Sequence, residues 1–141
     1  MILSDLLSVA DRAGDLAGVF RVLVATRTID GVEMGPGQAQ ISEAGELQVD
    51  MSGGDLDILP TRFMEPAGAG LTVSDFRRLA AEQPEAVELT LTGVTGFKHL
   101  EGGGAALRTE QVLGTYIPKA QNEIWLLLYP EQQWPQHWFG A

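Results

Sequence analysis

A chain of 141 residues, 45% apolar and 20% charged, holds enough apolar material for one folded domain without covalent staples. It contains no cysteine, which excludes disulfides, thiolate metal sites and thiol nucleophiles. Nineteen acids against nine Lys and Arg give a net charge of −10, so direct binding to nucleic-acid phosphates or to an anionic membrane is not expected.

The first element in chain order is a helix over residues 2–16, where Ile2, Leu3, Leu6, Leu7, Ala10 and Ala13 fall on one face. Ser4 is its candidate N-cap, and Gly14 or Gly18 its stop. A Val- and Leu-rich strand follows over 19–29. Asp30-Gly31 then signals a two-residue hairpin turn, because both central positions need positive φ. Residues 38–42 and 46–51 read as a second hairpin around Glu43-Ala44-Gly45. Leu47, Val49 and Met51 alternate there with Glu46, Gln48 and Asp50, as in a strand with one dry face. Ser52-Gly53-Gly54 is a loop, 56–64 a short strand interrupted by Pro60, and 66–70 another loop.

The best-specified helix begins at Thr72. Asp75 stands at the capping-box position, Leu71 and Phe76 have the spacing of a hydrophobic staple, and Pro84 marks the stop. Val87, Leu89 and Leu91 then alternate with Glu88, Thr90 and Thr92 in a strand that Gly93 and Gly96 end. Gly102-Gly103-Gly104 is a connection, and 107–117 a strand with a bulge at Gly114. Residues 123–129 are apolar on both faces, which belongs mid-sheet or at an interface. Pro130 and Pro135 prevent the ladder from continuing. The expected fold is one α+β domain over 1–141. It has a mostly antiparallel meandering sheet, an N-terminal helix, one inserted mid-chain helix, and residues 130–141 as a candidate aromatic arm.

Half of the aromatic residues crowd into the last stretch: Trp125, Tyr129, Trp134, Trp138 and Phe139. Such rings either cap the core or form a partner or self-association surface, the latter making a homo-oligomer through the arm. Asp50, Asp55 and Asp57 form the densest acidic loop. Counted as a calcium loop from Asp50, its twelfth position is Thr61 and not the closing glutamate, so a basic protein partner suits it better than a metal. His99, with Glu101 nearby, is a candidate general base, but no nucleophile or oxyanion hole accompanies it. His137 belongs to the aromatic stretch. Gly35-Pro36-Gly37, Gly68-Ala69-Gly70 and Gly102-Gly103-Gly104 are glycine-rich, but none continues into a P-loop or dinucleotide fingerprint, and no cofactor is expected.

These features favour a non-catalytic acidic protein-binding module of the inhibitor, immunity or chaperone type. The alternative is a structural subunit of a homo-oligomeric assembly such as a phage or secretion particle. The third class is a small-ligand binder or enzyme with a pocket in the curved sheet. Residues 1–5 lack a basic secretory start, and no apolar run approaches the roughly 20 residues of a membrane span, so a cytoplasmic location is the expectation.

Overall fold

A computed structural model describes residues 1–35, 37–64, 70–118, 122–130 and 133. Helix α1 (Leu3–Arg12) buries Leu3, Leu6 and Ala10 completely, the face that the periodicity marks. Its N-cap is Ile2 and not the expected Ser4. Tertiary pairing moves the start: Ile2 bridges Thr90, and the Leu3 amide donates to the Leu89 carbonyl at 3.0 Å. Asp5 then accepts from the Ile2 amide at 2.9 Å. Gly14, with φ 105°, follows the helix, which ends at Arg12 and not at 16, and a 3-10 turn at Asp15–Val19 takes the end of the expected helix and the first residue of the expected strand.

Strand β1 (Arg21–Thr26) leads into the hairpin β2 (Thr28–Ile29) and β3 (Val32–Glu33). Asp30 and Gly31 both have positive φ, 50° and 83°, as that turn demands. The second expected hairpin is absent. Residues 40–50 form one long strand, β4 (Gln40–Asp50), whose first part pairs with β1 and whose second pairs with β5 (Asp55–Pro60). Gly45 makes room there instead of turning: an added Cβ would lie 2.4 Å from Met64 Sδ and 3.1 Å from Thr61 Cα. A register shift between Ala44 and Glu46 accommodates the change of partner.

Helix α2 (Val73–Glu82) starts at the expected Thr72, whose amide donates to Asp75 Oδ2 at 2.8 Å. After it Pro84 opens a 3-10 turn at Pro84–Glu88, so the next strand, β6 (Thr90–His99), begins later than the alternation at Val87 implied. Gly93 and Gly96 lie inside β6 and do not end it. An added Cβ would approach Leu128 Cδ1 to 2.7 Å at Gly93 and Asp30 Oδ1 to 1.9 Å at Gly96, so each is small because a neighbour needs the space. Gly102, Gly103 and Gly104, all with positive φ, turn β6 into β7 (Ala105–Gln111); β8 (Gly114–Tyr116) and β9 (Glu123–Leu127) complete the set.

The fold is α+β, but its large sheet is mixed. The order is β7-β6-β5-β4-β1-β9-β8, and among the described residues the β1–β9 and β5–β6 pairs are parallel, the other four antiparallel. A meander fails at β5–β6 because α2 carries the chain back over the sheet, which returns the next strand parallel. It fails at β1–β9 because the last strand inserts between β1 and β8. The outermost strands β7 and β8 are separated in sequence only by Val112 and Leu113. The Val112 amide donates to Leu91 at 2.9 Å and that of Leu113 to Leu127 at 2.8 Å, so the chain itself bridges the two sides of a curled sheet and leaves little open edge.

One apolar cluster joins the inner strand residues Val22, Val24, Leu56, Ile58, Leu91, Ile124, Leu126 and Leu128 to Leu3, Leu6, Val73 and Phe76 of the helices. A second, smaller cluster lies on the other face, with Ala25, Leu127 and Tyr129 at its centre and Ile41, Tyr116 and Trp125 against it. The two-faced reading of 123–129 is thereby accounted for. No helix among the described residues is long and apolar enough to cross a membrane.

Candidate functional site

Arg27 follows β1 directly, after the apolar run 22–25 and Thr26, and is only 9% exposed. Burying a guanidinium is tolerated only when its hydrogens find acceptors. Nη1 donates to Gln133 Oε1 at 2.8 Å and lies 3.5 Å from Glu33 Oε1, while Nη2 donates to the carbonyls of Met34 (3.0 Å) and Gly35 (3.3 Å). The arginine thus fastens the β2–β3 hairpin and the segment after β9 to the end of β1. Its Nε, also buried, has no hydrogen-bond partner among the described residues.

Arg27 lies on the wall of a cavity of about 410 Å³, shared with Thr28, Glu33, Glu110, Tyr129 and Gln133. That volume falls within the range of small-molecule sites. Burial pushes the Glu110 carboxyl above its ordinary range and the charge of Glu33 adds to the rise, while a hydrogen bond with Thr28 opposes it. Burial likewise pushes the Tyr129 phenol up to about 12, against the opposing pull of Arg27, so it stays protonated at physiological pH. Leu113, Leu128 and Pro130 supply apolar wall.

The three acids singled out in the sequence share the outer face of β4 and β5. Asp50 pairs directly with Asp55, and Asp57 stands two residues further along β5. Two of the three also serve the fold. Asp50 Oδ1 accepts from the Gly53 amide at 2.9 Å and the Ser52 hydroxyl at 3.0 Å, closing the β4–β5 turn, and Asp57 accepts from the Thr92 hydroxyl. The Gly53 amide first, then the Ser52 hydroxyl, hold the Asp50 carboxyl below its ordinary value. A lowered folded pKa gives stability that is present above the ordinary carboxylate range and lost as pH falls through the folded value. Asp50→Ala is therefore expected to flatten the acid side of a melting-temperature profile against pH; an unchanged slope would remove the turn from the account.

Of the aromatic residues, Trp125 is half-buried. Its Nε1 donates to Glu123 Oε1 at 3.1 Å, and its ring meets Tyr116 edge-on at 5.5 Å. Glu123, only 5% exposed, also pairs with Arg21, which reaches Glu43 as well. Tyr129 is buried, and among the described residues it is the member of the aromatic group that lines the cavity. Trp134, His137, Trp138 and Phe139 lie outside the described residues. His99 and Glu101 are exposed at the β6–β7 turn and do not line the cavity. Among the described residues, no three His, Cys, Asp or Glu side chains converge to hold a metal ion.

Sequence reasoning raised a pocket in the curved sheet as an alternative, but of the residues that line this cavity it singled out only Tyr129 as a site residue. Arg27 carried a readable signal, a charge after an apolar run. Glu33 is brought to the cavity by the Asp30-Gly31 hairpin, whereas Glu110 and Gln133 carried no signal because they come from distant segments. No protein-family model, curated protein or solved structure matches this chain, so its site is read from its own residues.

Proposed function

We propose that this chain is a non-catalytic binding domain that docks a basic protein against the acidic outer face of β4 and β5. The reading is supported by the register that sets Asp50 opposite Asp55, with Asp57 and Glu46 on the same face. Like charges facing each other across an antiparallel pair destabilise a sheet, and a docked cation relieves that repulsion. None of the ion pairs among the described residues involves these four acids. The net charge of −10 steers a basic partner toward the same surface. Asp50 and Asp57 also hold the turn and the sheet, so Glu46 and Asp55 are the cleaner positions to change. Glu46→Lys with Asp55→Lys is expected to slow association with a captured basic protein by about ten-fold at low salt, a difference that shrinks as salt is added. Equal rates in stopped-flow mixing would remove this face as the docking site.

The cavity favours a second reading, a small-ligand-binding protein with its pocket in the curled sheet. Its support is the convergence of a buried arginine, a carboxyl with a raised pKa and a buried tyrosine on one concave space. A structural subunit built through residues 130–141 remains the alternative that solution mass separates: a ring or filament supports it, a monomer supports the binding readings.

A further inference from the structure

We infer that the open backbone edge of β4 over residues 46–50 takes up a strand of its partner, one in which Lys or Arg alternates with apolar residues. The inference rests on the acidic-face reading and adds to it the form in which the basic partner arrives.

Strands β7 and β8 close on each other, and the backbone left open lies where β4 changes neighbours. Pairing with β1 covers residues 40–43, and the Leu71 amide takes the Ala44 carbonyl at 2.8 Å. From Glu46 to Asp50 the ladder runs to β5 alone. Among the described residues, nothing hydrogen-bonds to the backbone of 46–50 on the side away from β5. A strand edge of that kind presents unpaired N–H and C=O groups to an extended chain that reaches it. Alternation gives the edge two unlike flanks. Glu46, Gln48 and Asp50 are exposed on the outer one, while Leu47 and Val49, partly buried against the main core, lie on the inner one. Met51, 51% exposed, stands at the end of the apolar row.

These flanks choose the occupant. A second copy of this chain, paired edge to edge, would set Glu46 and Asp50 against the same acids and bring like charges together. The edge is thereby guarded against self-association yet open to a cationic strand. Cross-strand neighbours stand about 5 Å apart, so alternate Lys or Arg of an added strand fall beside Glu46 and Asp50. Among the described residues, neither acid is held in an ion pair within the chain. The apolar residues between the cations then extend the core beside Leu47 and Val49.

Fluorescence anisotropy of the labelled heptapeptide Lys-Val-Lys-Val-Lys-Val-Lys, titrated with the chain at low salt, tests the inference. The block isomer Lys-Lys-Lys-Lys-Val-Val-Val has the same charge without the alternation, and is expected to bind at least about ten times more weakly. N-methylation of the valine amides, or of the lysine amides, removes the hydrogen-bond donors from one edge of the alternating peptide. One of these two forms is expected to lose about ten-fold or more in affinity and the other to keep it, because an added strand pairs through a single edge. Amide hydrogen exchange over 46–50 is expected to slow when the alternating peptide is bound. Glu46→Lys with Asp55→Lys is expected to weaken that peptide by about ten-fold or more. Equal affinity of the alternating and block peptides overturns strand addition and leaves the acidic face as a docking surface, as do two N-methylated forms that both bind like the parent. No binding of the alternating peptide, or exchange over 46–50 unchanged by it, likewise overturns strand addition. Affinity unchanged in the charge-reversed chain overturns both the inference and the reading beneath it.

Discussion

Phe76→Ala is expected to lower the unfolding free energy by about 3–5 kcal/mol, the largest loss of any single substitution discussed for this domain. Phe76 is fully buried on α2 and belongs to the cluster that unites both helices with the inner face of the sheet. Truncation removes the apolar contact of a whole ring and leaves a void that rigid strands on one side cannot collapse into. Urea unfolding followed by far-ultraviolet circular dichroism reads the change. Arg78→Ala, on the exposed side of the same helix, serves as the control and should shift stability by no more than about 0.5 kcal/mol. A loss below about 1 kcal/mol at Phe76 would mean that α2 is not seated on the sheet as described.

The second large effect concerns a residue defined by what it lacks. At most strand positions Gly→Ala stabilises a protein by up to about 1 kcal/mol, because it restricts the unfolded chain. At Gly93 the sign reverses. The added methyl would stand 2.7 Å from Leu128 Cδ1, 3.0 Å from Leu128 Cδ2 and 3.0 Å from Val24 Cγ1, all inside the curl. Overpacking of that kind costs about 1–3 kcal/mol. In a Leu128→Ala background two of the three close contacts are gone and Val24 Cγ1 alone remains, so Gly93→Ala should there cost clearly less. Such a double-mutant cycle isolates the contact across the curled sheet. Additive losses would show that Gly93 and Leu128 do not meet.

Gly93 also illustrates which parts of the fold were legible in the chain. Signals that act within a few residues were readable: Thr72, Asp75 and Pro84 bracket α2 because caps and proline breaks are local, and Asp30-Gly31 specifies its turn for the same reason. The alternation over 123–129 revealed two buried faces, which β9 has between β1 and β8. Glycines misled wherever their purpose was distant. Gly45, Gly93 and Gly96 resemble turn residues in sequence, yet each sits in a strand and yields space to Met64, Leu128 or Asp30. Parallel pairing was equally hidden, since it depends on which strand the chain returns to and not on any residue of the strand itself.

The candidate sites divide along the same line. Asp50, Asp55 and Asp57 are close in sequence and share one face by simple alternation, so their grouping was visible without coordinates. The second aromatic cluster was half visible: Trp125 and Tyr129 stood out, but Ile41 and Tyr116 join them only through the β4–β1–β9–β8 order. Arg27 and Glu33 are brought together by the local Asp30-Gly31 hairpin, but Glu110 and Tyr129 come from separate segments that no local pattern links to them. Glu110 reaches them where the chain passes through Val112 and Leu113 from one side of the sheet to the other.

Capture from a native lysate on the immobilised chain, at low and then high salt, tests most directly the proposal that the acidic outer face of β4 and β5 docks a basic protein. The Glu46→Lys, Asp55→Lys chain serves as the matched bait. The expected result is a basic protein held by the native chain, released as salt rises, and not held by the charge-reversed one. The same proteins held equally by both baits, or by neither at low salt, would contradict it.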